Sequence, residues 1–388
     1  MVAKNILRVL YAPNKVFQEV TQNPRYLGPI ILLIIFLIAQ VGASYLAASR
    51  SYIEQNMPVG DQADAWTENA ALWQANPGVT VRNNTADYIN GSLYYGTTSI
   101  DFEASNASIV WMKLSNLDGS VNCGADGFKN VSFRVKILTP DVKPENVSFY
   151  LYSLDSSSFY YDLTQTFSTS NVNVWNNITL PVGSEDWLSI GDGAKWENVT
   201  GLKMEFTWSA NSSINLRIDG LFFRGAFKSA ADISGVAILP DFVIGAFSQF
   251  GIQWFLLTGI IFVTIKGLKG TTTWKPLMVA VGFSMVIMVI QTLIILATYT
   301  ALPNIQYPLE YLSGVPGEAN VAVAAILNSV GLFLQVGFFL KIFAYLWISL
   351  LCSLIFRVVT SFSWSKSLIV FAIGFGLQFL LYLLGILV

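Results

Sequence analysis

The sequence predicts a polytopic α-helical membrane domain with five transmembrane helices, joined to an all-β antiparallel sandwich. The 388 residues are 53% hydrophobic and only 12% charged, whereas a soluble globular protein carries about 25% charged residues. Several apolar stretches are long enough to cross a bilayer core of about 30 Å. Between the first two lies a polar block, residues 66–228, in which apolar and polar residues alternate with the two-residue period of half-buried strands.

The predicted domain order follows from these changes in composition. Residues 1–49 form a cytoplasmic interfacial segment and the first transmembrane helix, and residues 50–76 an extracellular stalk. Residues 77–228 form the β-sandwich ectodomain, and residues 229–388 a membrane domain with four further transmembrane helices. In the first segment, Pro13 divides two short apolar faces. This predicts a helix–break–helix that lies on membrane lipid.

Five spans are predicted, at residues 26–49, 242–265, 276–301, 320–356 and 367–388. The fourth is too long for one straight crossing. Because no turn residue follows Gly337 near Lys341, we read it as one long or kinked helix. We expect Lys341 to reach the outer interface or to pair with Glu310 or Glu318.

Two signals predict the orientation. Four Lys or Arg residues precede the first span, and Lys266, Lys269 and Lys275 follow the second, so the positive-inside rule places the N-terminus in the cytoplasm of a cell-membrane protein. Residues 50–241 and the C-terminus are then extracellular. All N-x-[ST] triplets fall in the polar block, which predicts glycosylation there. The predicted glycosylation sites are Asn83, Asn90, Asn106, Asn130, Asn146, Asn177, Asn198 and Asn211.

Composition excludes several kinds of site. The chain has no histidine, which rules out His-based catalytic triads and His-ligated zinc. A net charge of −2 argues against a nucleic-acid partner. Cys123 and Cys352 lie in different regions, so no disulfide is expected, and a sequon-rich domain without disulfides favours an archaeal source. No cofactor, metal or catalytic residue is predicted.

The end of the polar block resembles the closing strands of galactose-binding-like jelly rolls, a family that includes many carbohydrate-binding modules. The resemblance covers residues 80–227 and is carried by Trp187, by Trp-Glu-Asn-Val-Thr-Gly-Leu at 196–202 and by Leu-Arg-Ile-Asp-Gly-Leu-Phe-Phe at 216–223. It implies a jelly-roll-like sandwich and a glycan ligand. Some members hold a structural calcium near the last strand, where Asp219 lies here. The alternative to a calcium ligand is that Asp219 is a turn or surface residue, because the sequence shows no second ligand.

The membrane portion resembles the Yip1 family. The marks are the Pro13-x-x-x-Phe17 entry helix, the five spans and Trp347 within Leu-Trp-Ile-Ser-Leu-Leu at 346–351. The loop at 361–365 and Ser-Leu-Ile-Val at 367–370 follow. The resemblance covers residues 5–49 and 232–388, with the ectodomain inserted. Eukaryotic relatives are implicated in membrane trafficking, but the large ectodomain departs from the compact pattern of that family.

Aromatic residues of the ectodomain are candidates for a sugar platform, although most aromatics of a sandwich belong to its core. These candidates are Trp111, Trp175, Trp187, Trp196, Trp208 and the Tyr160–Tyr161 pair. Within the spans, glutamines are expected to hydrogen-bond between helices. They are Gln249, Gln253, Gln291, Gln335 and Gln378.

Three functional classes remain open on sequence. The preferred one is a non-enzymatic membrane scaffold, or a subunit of an envelope complex, whose ectodomain binds a glycan or an envelope protein and whose spans contact membrane protein partners. The second is a channel or permease capped by the ectodomain, which lacks a charged pathway. The third is an enzyme, for which the acidic groups show no paired spacing. Those groups are Asp155, Asp162, Glu185 and Asp186.

Overall fold

An apolar bundle of helices and a β-sandwich make up the structure, a computed structural model that describes residues 2–60, 63–91, 94–153 and 157–385. The helical unit comprises Met1–Tyr52, Ser229–Ile305 and Leu327–Val388. The β-sandwich unit comprises Ile53–Lys228 and Gln306–Ile326. Each unit has its own hydrophobic core.

The helices are α1 Val2–Tyr11, α2 Pro13–Gln22, α3 Leu27–Arg50, α4 Thr164–Thr169, α5 Ala230–Ser234, α6 Leu239–Gly267, α7 Trp274–Ser284, α8 Val286–Tyr299, α9 Leu309–Ser313, α10 Glu318–Thr360 and α11 Trp364–Leu383. The strands are β1 Ser51–Met57, β2 Trp73–Ala75, β3 Thr80–Asn84, β4 Ser99–Leu114, β5 Asn130–Thr139, β6 Asn146–Ser153, β7 Ser158–Asp162, β8 Asn176–Pro181, β9 Leu188–Ile190, β10 Val199–Ser229 and β11 Ile305–Tyr307.

Five helical stretches of the described chain are long and apolar enough to cross a membrane, as predicted. They are Leu27–Arg50, Ala230–Gly267, Trp274–Tyr299, Glu318–Thr360 and Trp364–Leu383. The fourth is one helix of 43 residues, which confirms that the long apolar run does not fold back as two spans. The predicted helix–break–helix at the N-terminus is also confirmed. Pro13 opens α2, and Arg8 of α1 pairs with Glu19 of α2 at 2.9 Å.

Buried glutamines connect three helices of the helical unit. The Nε2 of Gln253 in α6 donates to Oε1 of Gln378 in α11 at 2.6 Å. The Nε2 of Gln378 then donates to Oγ of Ser349 in α10 at 2.9 Å. All three side chains are buried, so the predicted interhelical role is confirmed for these two glutamines.

The predicted pairing of Lys341 with Glu310 or Glu318 is wrong. Glu310 pairs with Arg224, and Glu318 pairs with Arg134 at 2.8 Å. Lys341 instead places its Nζ 5.0 Å from the centre of the Tyr382 ring in α11. Both arginines have little solvent exposure, so each needs a carboxylate to compensate its charge.

The β-sandwich unit is built around two long strands that both of its layers share. The first layer has the order β2-β4-β10-β6-β7-β9, and the second has the order β3-β4-β10-β5-β8. Strand β1 also pairs with β10, and β11 pairs with β1. Register shifts in the pairing of β10 fall after Thr207, where β4 is its partner, and after Asp219, where β5 is its partner. Such bulges bend a strand, which allows β10 to pass from one layer into the other.

The predicted inward residues fill the space between the layers, which confirms the antiparallel sandwich. Phe133 of β5 in the second layer stacks on Phe149 of β6 in the first, with ring centres 5.1 Å apart. The alternating apolar residues of β5, β6 and β10 that the sequence assigned to the core are buried. They are Val131, Phe133, Val135, Ile137, Val147, Phe149, Leu151, Leu202, Met204, Phe206, Trp208, Ile214, Leu216 and Ile218.

The structure differs from the predicted stalk at residues 50–76. Strand β1 belongs to the sheet, and Trp66 is buried with its ring centre 6.1 Å from that of Phe223. Trp73 of β2 packs edge-on against Phe102. The segment is polar and shows no strand period, which is why its sequence predicts a stalk. Only the two tryptophans indicate that it packs against the core.

Candidate functional site

Aromatic and charged side chains cover the outward side of the first layer. Four residues on adjacent strands are successive register partners. Lys113 of β4 pairs with Lys203 of β10, Lys203 pairs with Tyr150 of β6, and Tyr150 pairs with Tyr160 of β7. Because register partners in antiparallel strands lie on the same side of a sheet, these four side chains form a row. With their neighbours two residues along each strand they form a surface that we name the aromatic face. It consists of Trp111, Lys113, Tyr150, Tyr152, Tyr160, Lys203 and Glu205.

Strand alternation places these residues outward. The residues between them on the same strands, such as Met112, Phe149, Phe159 and Met204, are buried in the core. Successive side chains of a strand point to opposite sides, so their neighbours must face away from the core. The members of the aromatic face are half-buried rather than buried.

The rings and cations of the aromatic face are ordered against one another. Tyr150 and Tyr160 have ring centres 5.3 Å apart and a tilt of 50°. The Nζ of Lys203 lies 5.6 Å from the centre of the Trp111 ring and 5.5 Å from that of Tyr150. The Nζ of Lys113 lies 4.8 Å from the centre of the Tyr152 ring. These are cation–π distances, and they place positive charge between the rings.

Carboxylates on this side of the layer are already engaged. Lys203 Nζ donates to Oε2 of Glu205 at 2.6 Å. Asp162, the register partner of Ser148, accepts the backbone N–H of Thr164 at 2.8 Å. Burial raises the pKa of Tyr152, so this phenol is protonated at neutral pH and can donate a hydrogen bond.

This combination is suited to a sugar. The C–H face of a pyranose ring packs on a flat aromatic ring, while ammonium, carboxylate and phenol groups bond its hydroxyls. Aromatic rings placed on the open side of a sheet do not contribute to the core between the layers. They therefore form a surface suited to a ligand.

Two of the aromatic candidates predicted from sequence lie on the aromatic face, namely Trp111 and Tyr160. Trp187 and Trp208 are buried in the core. Tyr161 points inward, with its ring centre 5.0 Å from that of Trp187.

Two further tryptophan candidates lie elsewhere. Trp196 stacks on Phe159 with ring centres 3.7 Å apart. Trp175 donates its Nε1–H to Asp87 at 3.1 Å. The sequence reasoning missed five members of the aromatic face, although the outward parity of β4, β6 and β10 could have identified them. They are Lys113, Tyr150, Tyr152, Lys203 and Glu205.

The acidic residues considered for an enzyme do not form a described cluster. Glu185 and Asp186 are exposed in the turn between β8 and β9, and Asp162 ends β7. Asp155 lies outside the described residues.

A second polar site involves Asp219, whose carboxylate lies together with those of Asp64 and Glu68. One oxygen from each of the three lies within 4.8 Å of the others. Backbone amides fix each carboxylate. Gly96 N–H donates to Asp64 at 3.0 Å, Thr98 N–H to Glu68 at 3.1 Å, and Ile89 N–H to Asp219 at 2.6 Å. Asp219 itself is buried, not the turn or surface residue that was the alternative.

This carboxylate cluster fits a calcium ion. Calcium binds carboxylate oxygens at about 2.3–2.6 Å, so ligand oxygens less than about 5 Å apart can share one ion. Burial, aided by the neighbouring carboxylates, raises the pKa of both Asp64 and Asp219 to about 7. Asp64, Glu68 and Asp219 would hold the ion, and its two positive charges would offset most of their negative charge. Asp64 and Glu68 were not predicted as ligands from the sequence because they lie in the segment interpreted as a stalk.

The predicted glycosylation sites all lie in the β-sandwich unit. Six of the asparagines are exposed, at positions 83, 90, 106, 146, 177 and 211, and Asn130 and Asn198 are half-buried. Asn146 is the register partner of Thr207, so it lies on the same side of the first layer as the aromatic face. Glycosylation of these residues stays a prediction.

No protein-family model matches the chain, and no curated protein matches its sequence. The Yip1 resemblance therefore stays a prediction.

Among solved structures, the chain is similar to the family 11 carbohydrate-binding module from Clostridium thermocellum in complex with a β-1,3-1,4-mixed-linked tetrasaccharide. The identity is 13% and the TM-score 0.29, over 45% of this chain and 96% of the module. It is also similar to the family 30 carbohydrate-binding module of a Clostridium thermocellum cellulosomal cellulase, with 9% identity and a TM-score of 0.32, over 45% of this chain and 98% of that module. An exo-β-agarase matches at 8% identity and a TM-score of 0.31, over 42% of this chain and 24% of the enzyme.

Proposed function

We propose that this chain is a non-enzymatic, membrane-anchored protein that binds a glycan on its aromatic face. The observation that carries the proposal is that the rings of Trp111, Tyr150 and Tyr160 lie on one open side of the first layer, with Lys203 between two of them. Rings held by a rigid sheet lose little conformational freedom when a sugar stacks on them. This lowers the entropic cost of binding.

We assign a binding role rather than catalysis because the described carboxylates of this surface already have hydrogen-bond partners. Glu205 is bonded to Lys203, and Asp162 accepts a backbone amide. A hydrolytic pair needs one carboxylic acid and one carboxylate facing the same bond. A binding role needs only the rings and the donors.

The helical unit would anchor the sandwich outside the cell. One cavity of about 570 Å³ in this unit is lined by Gln18 and Thr21 of α2, Thr271 and Thr272 of the loop before α7, and Val358 of α10. The N-terminal helices, the loop that follows the second apolar stretch and the C-terminal end of the fourth stretch therefore meet at one end of the unit. Those segments, together with the helix ends next to them, carry most of its Lys and Arg residues, which supports a cytoplasmic location for this end.

Glycan binding can be tested with the full chain in nanodiscs by isothermal titration with polysaccharides. We expect Trp111→Ala and Tyr160→Ala each to weaken binding at least about tenfold. Trp111→Phe keeps a ring and should retain most of the affinity. Trp274→Ala and Tyr311→Ala are matched controls, since both are exposed aromatic residues away from the aromatic face. Wild-type affinity in a folded Trp111→Ala, Tyr160→Ala double variant would overturn the proposal.

A protein partner is the second candidate, favoured by exposed aliphatic residues at the two edges of the same side. Ile109 of β4 is 43% exposed, and Leu188 of β9 is 63% exposed. An aliphatic rim suits a protein surface better than a sugar. If Ile109→Ser and Leu188→Ser abolish capture of an envelope protein while Trp111→Ala does not, the ligand is that protein.

A further inference from the structure

Two lysines face each other on the aromatic face. Lys113 and Lys203 are register partners on β4 and β10, where their Cβ atoms lie about 5 Å apart. Like charges directly opposite each other destabilise a sheet. This pair lies on the outward side of the first layer.

The charge of this pair is only half balanced. Lys203 has its carboxylate partner in Glu205 at 2.6 Å. Among residues 2–60, 63–91, 94–153 and 157–385, no carboxylate pairs with Lys113, whose Nζ lies over the Tyr152 ring. A local arrangement that is unfavourable in the unbound chain is typical of a functional site.

Resting on the proposed glycan-binding function, we infer that the aromatic face takes an acidic polysaccharide, whose carboxylate or sulfate group is bound by Lys113 beside Lys203. A sugar ring stacked on Trp111 or Tyr150 brings its substituents to the ammonium of Lys203, which lies beside both rings, and towards that of Lys113, which lies over the Tyr152 ring. A neutral sugar would leave Lys113 uncompensated, whereas an anion would remove the repulsion between the two lysines.

The inference is tested with two probes that differ in one group. Cellohexaose and its C6-oxidised counterpart, a β-1,4-glucuronate hexamer, share ring and linkage and differ by a carboxylate at each residue. We expect the full chain in zwitterionic nanodiscs to bind the uronate at least about tenfold more tightly. This preference should shrink as NaCl rises from about 0.05 to 0.5 M, because salt screens exposed charges. A sulfated cello-oligomer separates the two anions: tighter binding of the sulfated probe than of the uronate assigns a sulfate ester, and the reverse assigns a carboxylate.

The Lys113→Met variant separates a ligand role from a structural one. We expect it to lose the preference for the anionic probe, with a much smaller loss of affinity for cellohexaose than for the uronate, and to be at least as stable as the wild type because the repulsion is gone. Lys195→Met, at an exposed position outside the aromatic face, is the control. Equal affinity for both probes, unchanged by Lys113→Met, would overturn the inference and leave the proposed glycan binding in place. If a folded protein binds no polysaccharide at all, the proposed function itself fails.

Discussion

Arg224 in β10 pairs with Glu310, which lies in α9 between the third and fourth apolar stretches. The Nη2 of Arg224 donates to Oε2 of Glu310 at 2.6 Å. Glu54 of β1 binds the same guanidinium through two hydrogen bonds of 2.8 and 2.7 Å and also accepts the backbone N–H of Leu309. One partly buried charge network therefore joins three distant parts of the sequence within the β-sandwich unit.

We predict that Glu310→Gln lowers the free energy of unfolding of the β-sandwich unit by about 1–3 kcal/mol, because Arg224 keeps only one carboxylate. Glu54→Gln should cost more, about 3–5 kcal/mol, since Glu54 is the more buried partner and has the larger number of hydrogen bonds. Denaturant unfolding followed by tryptophan fluorescence measures both. Glu145→Gln, at an exposed position, is the control. A loss no larger than that of the control would show that the network contributes nothing to stability.

A second prediction concerns the limits of the folding unit. A fragment of residues 77–228 lacks β1, Trp66, Trp73 and both carboxylate partners of Arg224. We expect it to aggregate or to unfold without cooperativity. A fragment of residues 53–228 joined by a Gly/Ser linker to residues 306–326 should fold. Dispersion of amide resonances in a ¹⁵N-labelled sample decides between them, and a well-folded 77–228 fragment would contradict the extended boundary.

The third prediction is a calcium effect with a defined pH dependence. Asp64 and Asp219 have pKa values of about 7 in the folded chain and about 3.9 when unfolded. Between these values the folded state binds more protons, so the free energy of unfolding falls as pH rises from about 4 to 7 and then levels off. In chelator, the unfolding midpoint of the β-sandwich unit should thus be higher at pH 5 than at pH 8. Calcium competes with protons for these carboxylates, so calcium should raise the unfolding midpoint more at pH 8 than at pH 5.

Asp64→Asn checks the cause of that pH dependence. The amide resembles the protonated acid, so we expect a flatter profile in chelator and no shift in the unfolding midpoint with calcium. Asp192→Asn, at an exposed position, should behave as the wild type. A calcium response retained by Asp64→Asn would place the ion elsewhere.

The parts of the fold that the sequence predicts are those with long, regular patterns. The five apolar stretches and the alternation of β5, β6 and β10 are unambiguous because each repeats over many residues. The segment around Asp64 and Trp66 has no period, and its partners Asp219 and Phe223 lie about 150 residues away, so neither the calcium-fitting cluster nor this part of the core could be predicted. The aromatic face could have been predicted from strand parity, because Tyr150 must point outward once Phe149 is placed inward.

The fourth prediction ranks the glycosylation sites. Mass spectrometry of protein from the native host should find higher occupancy at the six exposed asparagines than at Asn130 and Asn198, which are half-buried. The side-chain amide of Asn130 is also packed closely against Gly225. A Cβ atom added to that glycine would lie only 2.7 Å from the Nδ2 of Asn130. Higher occupancy at Asn130 than at Asn106 or Asn211 would contradict the ranking. No glycan at any site would remove the sequon argument for an extracellular sandwich.

The two native cysteines make the orientation simple to test. Cys123 and Cys352 are both 1% exposed. Burial raises the pKa of the Cys123 thiol to about 12, which keeps it protonated and unreactive at neutral pH. Labelling of the wild type in intact cells should therefore be negligible, and any added cysteine reports its own side of the membrane.

The last prediction is the orientation itself. Ser105→Cys in β4 and Gln306→Cys in β11 are exposed positions of the β-sandwich unit, and Thr271→Cys is exposed in the loop before α7. The basic residues near Thr271 should hold that loop in the cytoplasm, because Lys and Arg flanking a span are retained on that side. We therefore expect an impermeant maleimide to label the first two variants in intact cells and to label Thr271→Cys only after the membrane is permeabilised. Labelling of Thr271→Cys in intact cells, with Ser105→Cys and Gln306→Cys protected, would invert the orientation. It would also place the aromatic face in the cytoplasm, where an extracellular polysaccharide could not reach it.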